Sequence, residues 1–243
     1  MINFIITAIK IIFLLGFLIL IHEGGHFTVA KLCKIKVNEF AIGFGPAIIK
    51  KQGKETKYVL RLIPLGGFVS LEGEEEYSEE EGSFSKASIW KRIGVVMAGG
   101  MVNILFGLLI FFFLSLAYTN LKSALINTKE FAFSMIDSLK MLFSGNVTIN
   151  DLTGPIGISE VVAKTNGIDE FIYILSLISL SLGVTNLLPF PPLDGGKIVL
   201  LIIEGIRKKP LKEKVEINLQ LIGFSIMILL SIYVAYNDIL RMF

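Results

Sequence analysis

Residues 2–27 read INFIITAIKIIFLLGFLILIHEGGHF, an apolar run that ends in two histidines and a glutamate. The run is long enough to cross roughly 30 Å of hydrocarbon, for which about 20 residues suffice. Ionisable groups are costly at such a place and usually have a task. His22 and His26 stand four apart, so a helix puts both on one face, close enough to share a metal ion. They are the chain's 2 histidines. A histidine in an apolar helix can also be a hydrogen-bonded core residue, and that reading stays open for each of them taken singly. Gly24 and Gly25 favour the metal, since each costs up to about 1 kcal/mol in a helix and an inert span gains nothing by carrying both.

The rest of the composition agrees with a membrane protein. Of 243 residues, 53% are hydrophobic and 18% charged, and the mean hydropathy is +0.71. Such values lie outside the range of soluble domains. A net charge of +2 gives no reason to expect nucleic acid or an anionic partner. The single cysteine, Cys33, excludes an internal disulfide and a thiolate metal cluster. The first run carries no basic leader and no small-residue cleavage site, so it is expected to be retained as a membrane helix.

Three further apolar runs have spanning length, giving four expected spans at about residues 2–27, 93–118, 171–190 and 215–236. Lys10 is placed to snorkel to the interface, and Trp90, Lys91 and Arg92 would anchor the second span. The third ends in Pro189, Pro191 and Pro192, which break a helix; the freed carbonyls are tolerable only in protein or against water. The loop at 27–92 holds eleven Lys/Arg and the loop at 197–214 six, while 119–170 holds four against six acids. The first and third loops are therefore expected in the cytoplasm, both chain ends outside, and His22 and Asp194 near the cytoplasmic face. The acidic run Glu72 to Glu81 reads as a solvated, mobile surface.

In the first loop, residues 36–49 and 57–69 are rich in β-branched and aromatic residues, with Gln52-Gly53 at the turn between them. A hairpin over about 36–69 is expected. Its tail, Pro64-Leu-Gly66-Gly67-Phe68, suits close backbone approach or re-entry into the membrane. A stretch near Phe131 to Phe143 is amphipathic and could lie along the interface, or simply connect. The expected fold class is membrane all-α: about four transmembrane helices and a small membrane-associated sheet after the first, in one integral-membrane domain over residues 1–243.

A catalytic zinc has three protein ligands and one open position, so a third donor is needed beside His22 and His26. Asp194, just past the proline break, is the candidate, the alternative being a cap on the helix that starts near Gly195. Glu23 would take a proton from the zinc-activated water and pass it to the leaving amine. Its alternative is a fourth ligand in a closed structural site.

His22-Glu-Gly-Gly-His26 and Asn186-Leu-Leu-Pro-Phe-Pro-Pro-Leu-Asp194-Gly resemble the two signature motifs of site-2 proteases. Phe40-Ala-Ile-Gly-Phe-Gly45, Ile63 to Phe68, Gly154-Pro-Ile-Gly157 and Asp194-Gly-Gly196 are similar to the regulator-of-sigma-E branch. The resemblance implies zinc on His22, His26 and Asp194, catalysis by Glu23, and Asn186 near the substrate. It also implies that the sheet carrying Gly66 and Gly67 engages unwound substrate by strand addition. The implied activity is an intramembrane zinc metalloendopeptidase acting on pre-trimmed single-span substrates, such as an anti-sigma factor, a remnant signal peptide or a pheromone precursor. The implied place is the lipid bilayer of a bacterial cytoplasmic (inner) membrane. Two departures stand out. The roughly 50-residue middle loop cannot hold the PDZ domains usual in this branch, and Gly99-Gly100-Met-Val-Asn103 lacks the branch's proline while keeping an asparagine able to bond between helices. The rival from another class is a zinc transporter or an inactive metal-binding scaffold. A transporter should line polar residues through several spans, whereas here they gather at one depth.

Overall fold

The computed structural model describes residues 2–74, 76–145, 154–211 and 213–241. Among the described residues, seven helices and two strands follow in the order α1 (Ile2–Leu32), β1 (Val37–Gln52), β2 (Lys57–Leu71), α2 (Ile89–Tyr118), α3 (Leu121–Phe143), α4 (Pro155–Ala163), α5 (Ile168–Asn186), α6 (Asp194–Arg207) and α7 (Glu213–Arg241). Among the described residues, four helical stretches are long and apolar enough to cross a membrane: Ile5–Leu32, Ile89–Tyr118, Ile168–Asn186 and Lys214–Leu240. The fold is the expected one, membrane all-α with a small sheet after the first helix. By its contacts the chain forms two compact units, one of Met1–Ile11, Ile104–Leu182 and Gly223–Phe243, the other of Ile12–Asn103 and Gly183–Ile222.

The second unit holds the sheet. Helix α1 ends where Lys34 takes a left-handed φ of 61°, and the N–H of Ile35 returns to the Ala30 carbonyl at 2.8 Å, satisfying a carbonyl of the last turn. That reversal throws the chain into β1. Strands β1 and β2 pair antiparallel, from Val37 opposite Leu71 to Ile42 opposite Gly67, and again from Ile49 opposite Leu60 to Gln52 opposite Lys57. Residues 39–42 also pair with 57–60, so the first half of β1 lies between the two halves of β2. Such a path needs sharp bends, and Gly43 (φ 89°) and Gly66 (φ 133°) supply conformations that other residues resist. Glu39 accepts from Lys57 at 2.6 Å and Arg61 at 2.8 Å, and these hydrogen bonds hold its carboxyl below the usual range. Phe44, Ile48, Ile49, Leu62 and Ile63 remain exposed, an apolar surface that suits lipid better than water.

The base of the sheet is buried. Ala30, Ile35, Val37, Leu71, Phe84, Val95, Val96 and Leu201 form one apolar cluster, which joins the end of α1, the sheet, the start of α2 and α6. Arg92 and Lys197 lie over the Phe84 ring at 5.0 and 5.3 Å, and Arg92 makes a two-pronged bond to Glu204.

In the first unit, Phe111 stacks on Phe131 with centroids 4.1 Å apart. Lys10 donates to the carbonyl and hydroxyl oxygens of Thr165, each at 3.0 Å. Helix α3 is longer than the amphipathic stretch expected at 131–143, because Asn120 caps it through the Ser123 N–H and the helix starts at Leu121. Asp238 is buried, and its carboxylate accepts from the N–H groups of Gly154 at 3.1 Å and Gly157 at 3.0 Å. It thus takes the place of a missing side-chain cap on α4. Asp238→Ala is expected to lower unfolding stability by about 1–3 kcal/mol, since it leaves buried donors without a partner. Unfolding of detergent-solubilised wild type and variant compares the two; equal midpoints would remove this anchoring role.

Candidate active site

Three elements of the second unit converge. Helix α1 supplies His22, Glu23 and His26, the first turn of α6 supplies Asp194, and α2 passes behind the histidines. The two imidazoles meet edge to face, centroids 4.8 Å apart, with their Nε2 atoms 3.2 Å apart. Asp194 Oδ2 lies 3.2 Å from His22 Nε2 and 3.4 Å from His26 Nε2. The donor atoms of all three residues fall within 4.8 Å of one another.

The two contacts to Asp194 are poor hydrogen bonds. Asp194 Oδ2 is buried and has no partner of acceptable geometry, although both imidazole nitrogens are within reach. His26 Nδ1 lies 2.8 Å from the Val95 carbonyl, which can only accept, so in the neutral ring the proton sits on Nδ1 and Nε2 turns a lone pair toward Asp194. A buried carboxylate oxygen facing an imidazole lone pair is what a divalent cation between them would resolve. Two imidazole nitrogens and one carboxylate oxygen, with room for a fourth position, fit zinc.

Asp194 is not a cap. Leu193 occupies the N-cap position of α6, no side chain caps the helix, and Asp194 is already its first residue. Glu23 lies outside the three-residue donor group but lines the same cavity, of about 200 Å³, together with Gly67, Phe68, Val69, Leu71, Glu74 and Lys197. A Cβ on Gly67 would sit 3.1 Å from Glu23 Cγ and 2.9 Å from the Ala41 carbonyl, so the end of β2 passes close over α1 because residue 67 has no side chain. Gly66 bends the strand but does not line the cavity, and Asn186, the last residue of α5, does not line it either.

Gly25 has a packing reason: its Cβ would meet the Ala98 carbonyl of α2 at 2.7 Å. Gly24 faces open space, and nothing in the packing explains it. Two residues were missed by sequence reasoning. Glu74, within the acidic run read as solvated, makes a 2.6 Å ion pair with Lys197 on the cavity wall, while Glu76, Glu79, Glu80 and Glu81 of that run are exposed as expected. Lys197, one helical turn after Asp194, could have been marked by that spacing.

The model of peptidase family M50 matches residues 10–230. The chain belongs to that family. A relative from Clostridium acetobutylicum is 26% identical over 320 residues, covering 92% of this chain and 94% of the relative. One from Fusobacterium nucleatum is 26% identical over 339 residues, covering 98% and 99%. One from Streptococcus pyogenes serotype M3 reaches 41% over 114 residues, 46% of this chain and 27% of its own. The names of all three place them among zinc metalloproteases. The first two alignments are longer than the 243-residue chain, so those relatives carry segments this member of the family lacks. Family membership with four spanning helices makes the chain a multi-pass membrane zinc metalloprotease.

Proposed function

We propose that the chain acts as a single intramembrane endopeptidase domain. His22, His26 and Asp194 hold the zinc, and Glu23 is the catalytic base. The observation that carries the reading is the unsatisfied Asp194 carboxylate facing two imidazole nitrogens in a cavity that also contains Glu23. Zinc, when bound, supplies a Lewis acid and lowers the pKa of a water it holds towards about 7. Glu23 takes the proton of the attacking water and returns it to the leaving amine. Phe68 and Val69 wall the cavity from the end of β2. That strand end, with Gly66 shaping it and Gly67 passing beside Glu23, receives an extended segment of substrate by main-chain pairing. Asn186, at the end of α5 before the proline break, contacts substrate from the other side of that segment.

Substrates are single-span proteins or peptides already shortened elsewhere: an anti-sigma factor, a remnant signal peptide or a pheromone precursor. Helical substrate must unwind before it pairs, because its peptide groups are otherwise closed by their own hydrogen bonds. The excess of Lys and Arg in the loops at 27–92 and 197–214 orients the site toward the cytoplasmic side of a bacterial inner membrane, with both termini outside.

Purified protein in liposomes is expected to cut at least one of a panel of pre-trimmed single-span substrates. A chelator is expected to abolish cleavage, and added zinc to restore it. Cleavage that continues unchanged after zinc has been removed and its loss verified by metal analysis would overturn the reading.

A further inference from the structure

We infer that Asn103 is a positioning residue for His22, fixing the ring so that its Nε2 faces the metal. The inference rests on the reading of His22 as a zinc ligand. Val95, Gly99 and Asn103 are spaced by four along α2 and therefore form one stripe of that helix. The stripe runs beside His22 and His26, themselves spaced by four on α1. Its first member meets His26: the Val95 carbonyl accepts from Nδ1 at 2.8 Å. Its second makes room for both rings, for a Cβ on Gly99 would lie 2.8 Å from His22 Cε1 and 2.7 Å from His26 Cε1. Its third meets His22: the Asn103 side-chain amide lies 3.4 Å from Nδ1. Asn103 is wholly buried, a placement an amide tolerates only where it finds partners.

An imidazole that turns the Nε2 lone pair to a metal keeps its proton on Nδ1, and that proton needs an acceptor. For His26 the acceptor is a main-chain carbonyl. For His22 the group at the same place is the Asn103 amide. Its nitrogen is the end nearer to Nδ1, and a half-turn of the amide exchanges nitrogen for oxygen without changing the volume filled. With oxygen toward Nδ1, the proton stays there and Nε2 is open. With nitrogen toward Nδ1, the proton is driven to Nε2, where it blocks coordination. Asn103 thus works through His22 and never touches substrate.

The experiment is zinc affinity of the full chain in detergent, measured by competition with a chromophoric chelator after zinc has been stripped. Wild type, Asn103→Leu and Asn103→Asp are compared. Leucine fills nearly the same space with no acceptor, and its affinity is expected to fall about 10- to 100-fold, the range seen when an outer partner of a metal-bound histidine is lost. Aspartate restores an acceptor and is expected to bind zinc about as tightly as wild type. A merely structural Asn103 gives the opposite order, because a buried carboxylate costs more than a buried leucine. Thermal unfolding of the stripped proteins identifies any variant that fails to fold, and the aspartate protein keeps the question answerable if the leucine protein does. Leucine binding zinc as tightly as wild type, or aspartate losing as much as leucine, overturns the inference while leaving the metal site standing. Wild type that binds no zinc overturns the metal site itself, and the inference with it.

Discussion

Glu23→Gln protein is expected to hold zinc as tightly as wild type and to cleave substrate about 100- to 10,000-fold more slowly, the usual contribution of a positioned general base. The amide keeps the size of the carboxylate, so packing beside Gly67 is preserved. What it lacks is a basic oxygen able to accept the proton of the attacking water. The two readouts separate the roles this residue could have. If cleavage stays within a few fold of wild type, Glu23 is not the base. If zinc is lost together with activity, Glu23 is a ligand, and the separation between it and the donor group of His22, His26 and Asp194 closes when the ion binds.

Gly99→Ala is expected to lose roughly 100-fold or more in cleavage, although residue 99 is neither ligand nor base. The added methyl group would occupy the space against His26 Cε1 at 2.7 Å and His22 Cε1 at 2.8 Å, which is too close for carbon on carbon. Either the rings turn or α2 withdraws from α1. Both displace nitrogen atoms whose mutual spacing is the site, and a misplacement of about 1 Å in a catalytic group can cost 100-fold. Zinc affinity is expected to fall in parallel. Ala98→Gly, one residue earlier on the same helix, is the control for altered helix propensity, which changes by about 1 kcal/mol or less. If Gly99→Ala keeps both activity and zinc, the close approach of α2 to the histidines has no functional weight.

Much of this was legible before any coordinates. The four spans follow from length and apolarity alone, and the hairpin from two β-branched runs about a Gln52-Gly53 turn. His22, Glu23 and His26 could be grouped because helical spacing is local arithmetic. Asp194 was nominated across some 170 residues only because a zinc site demands a third ligand and the proline break ended nearby. What sequence did not show was everything that depends on two helices meeting. The Val95 carbonyl carries no side-chain signature. Gly99 and Asn103 were noted as a glycine-asparagine pattern, without sight of what they would touch. Glu74 was submerged in an acidic run of which Glu76, Glu79, Glu80 and Glu81 are exposed, and its partner Lys197 is 123 residues away. The folding back of β1 between the halves of β2 was equally hidden, because Gly43 and Gly66 announce a bend but not its destination.

The stripe on α2 has an evolutionary corollary. His26 is oriented through a main-chain carbonyl, which every residue type at position 95 would supply, so mutation has little purchase on that contact. His22 depends on a side chain at position 103, which a single codon change can replace. Of the two histidines in one motif, one is therefore buffered against drift and the other adjustable. Natural tuning of metal retention in this protein, toward tighter or looser hold, is open at 103 and closed at 95.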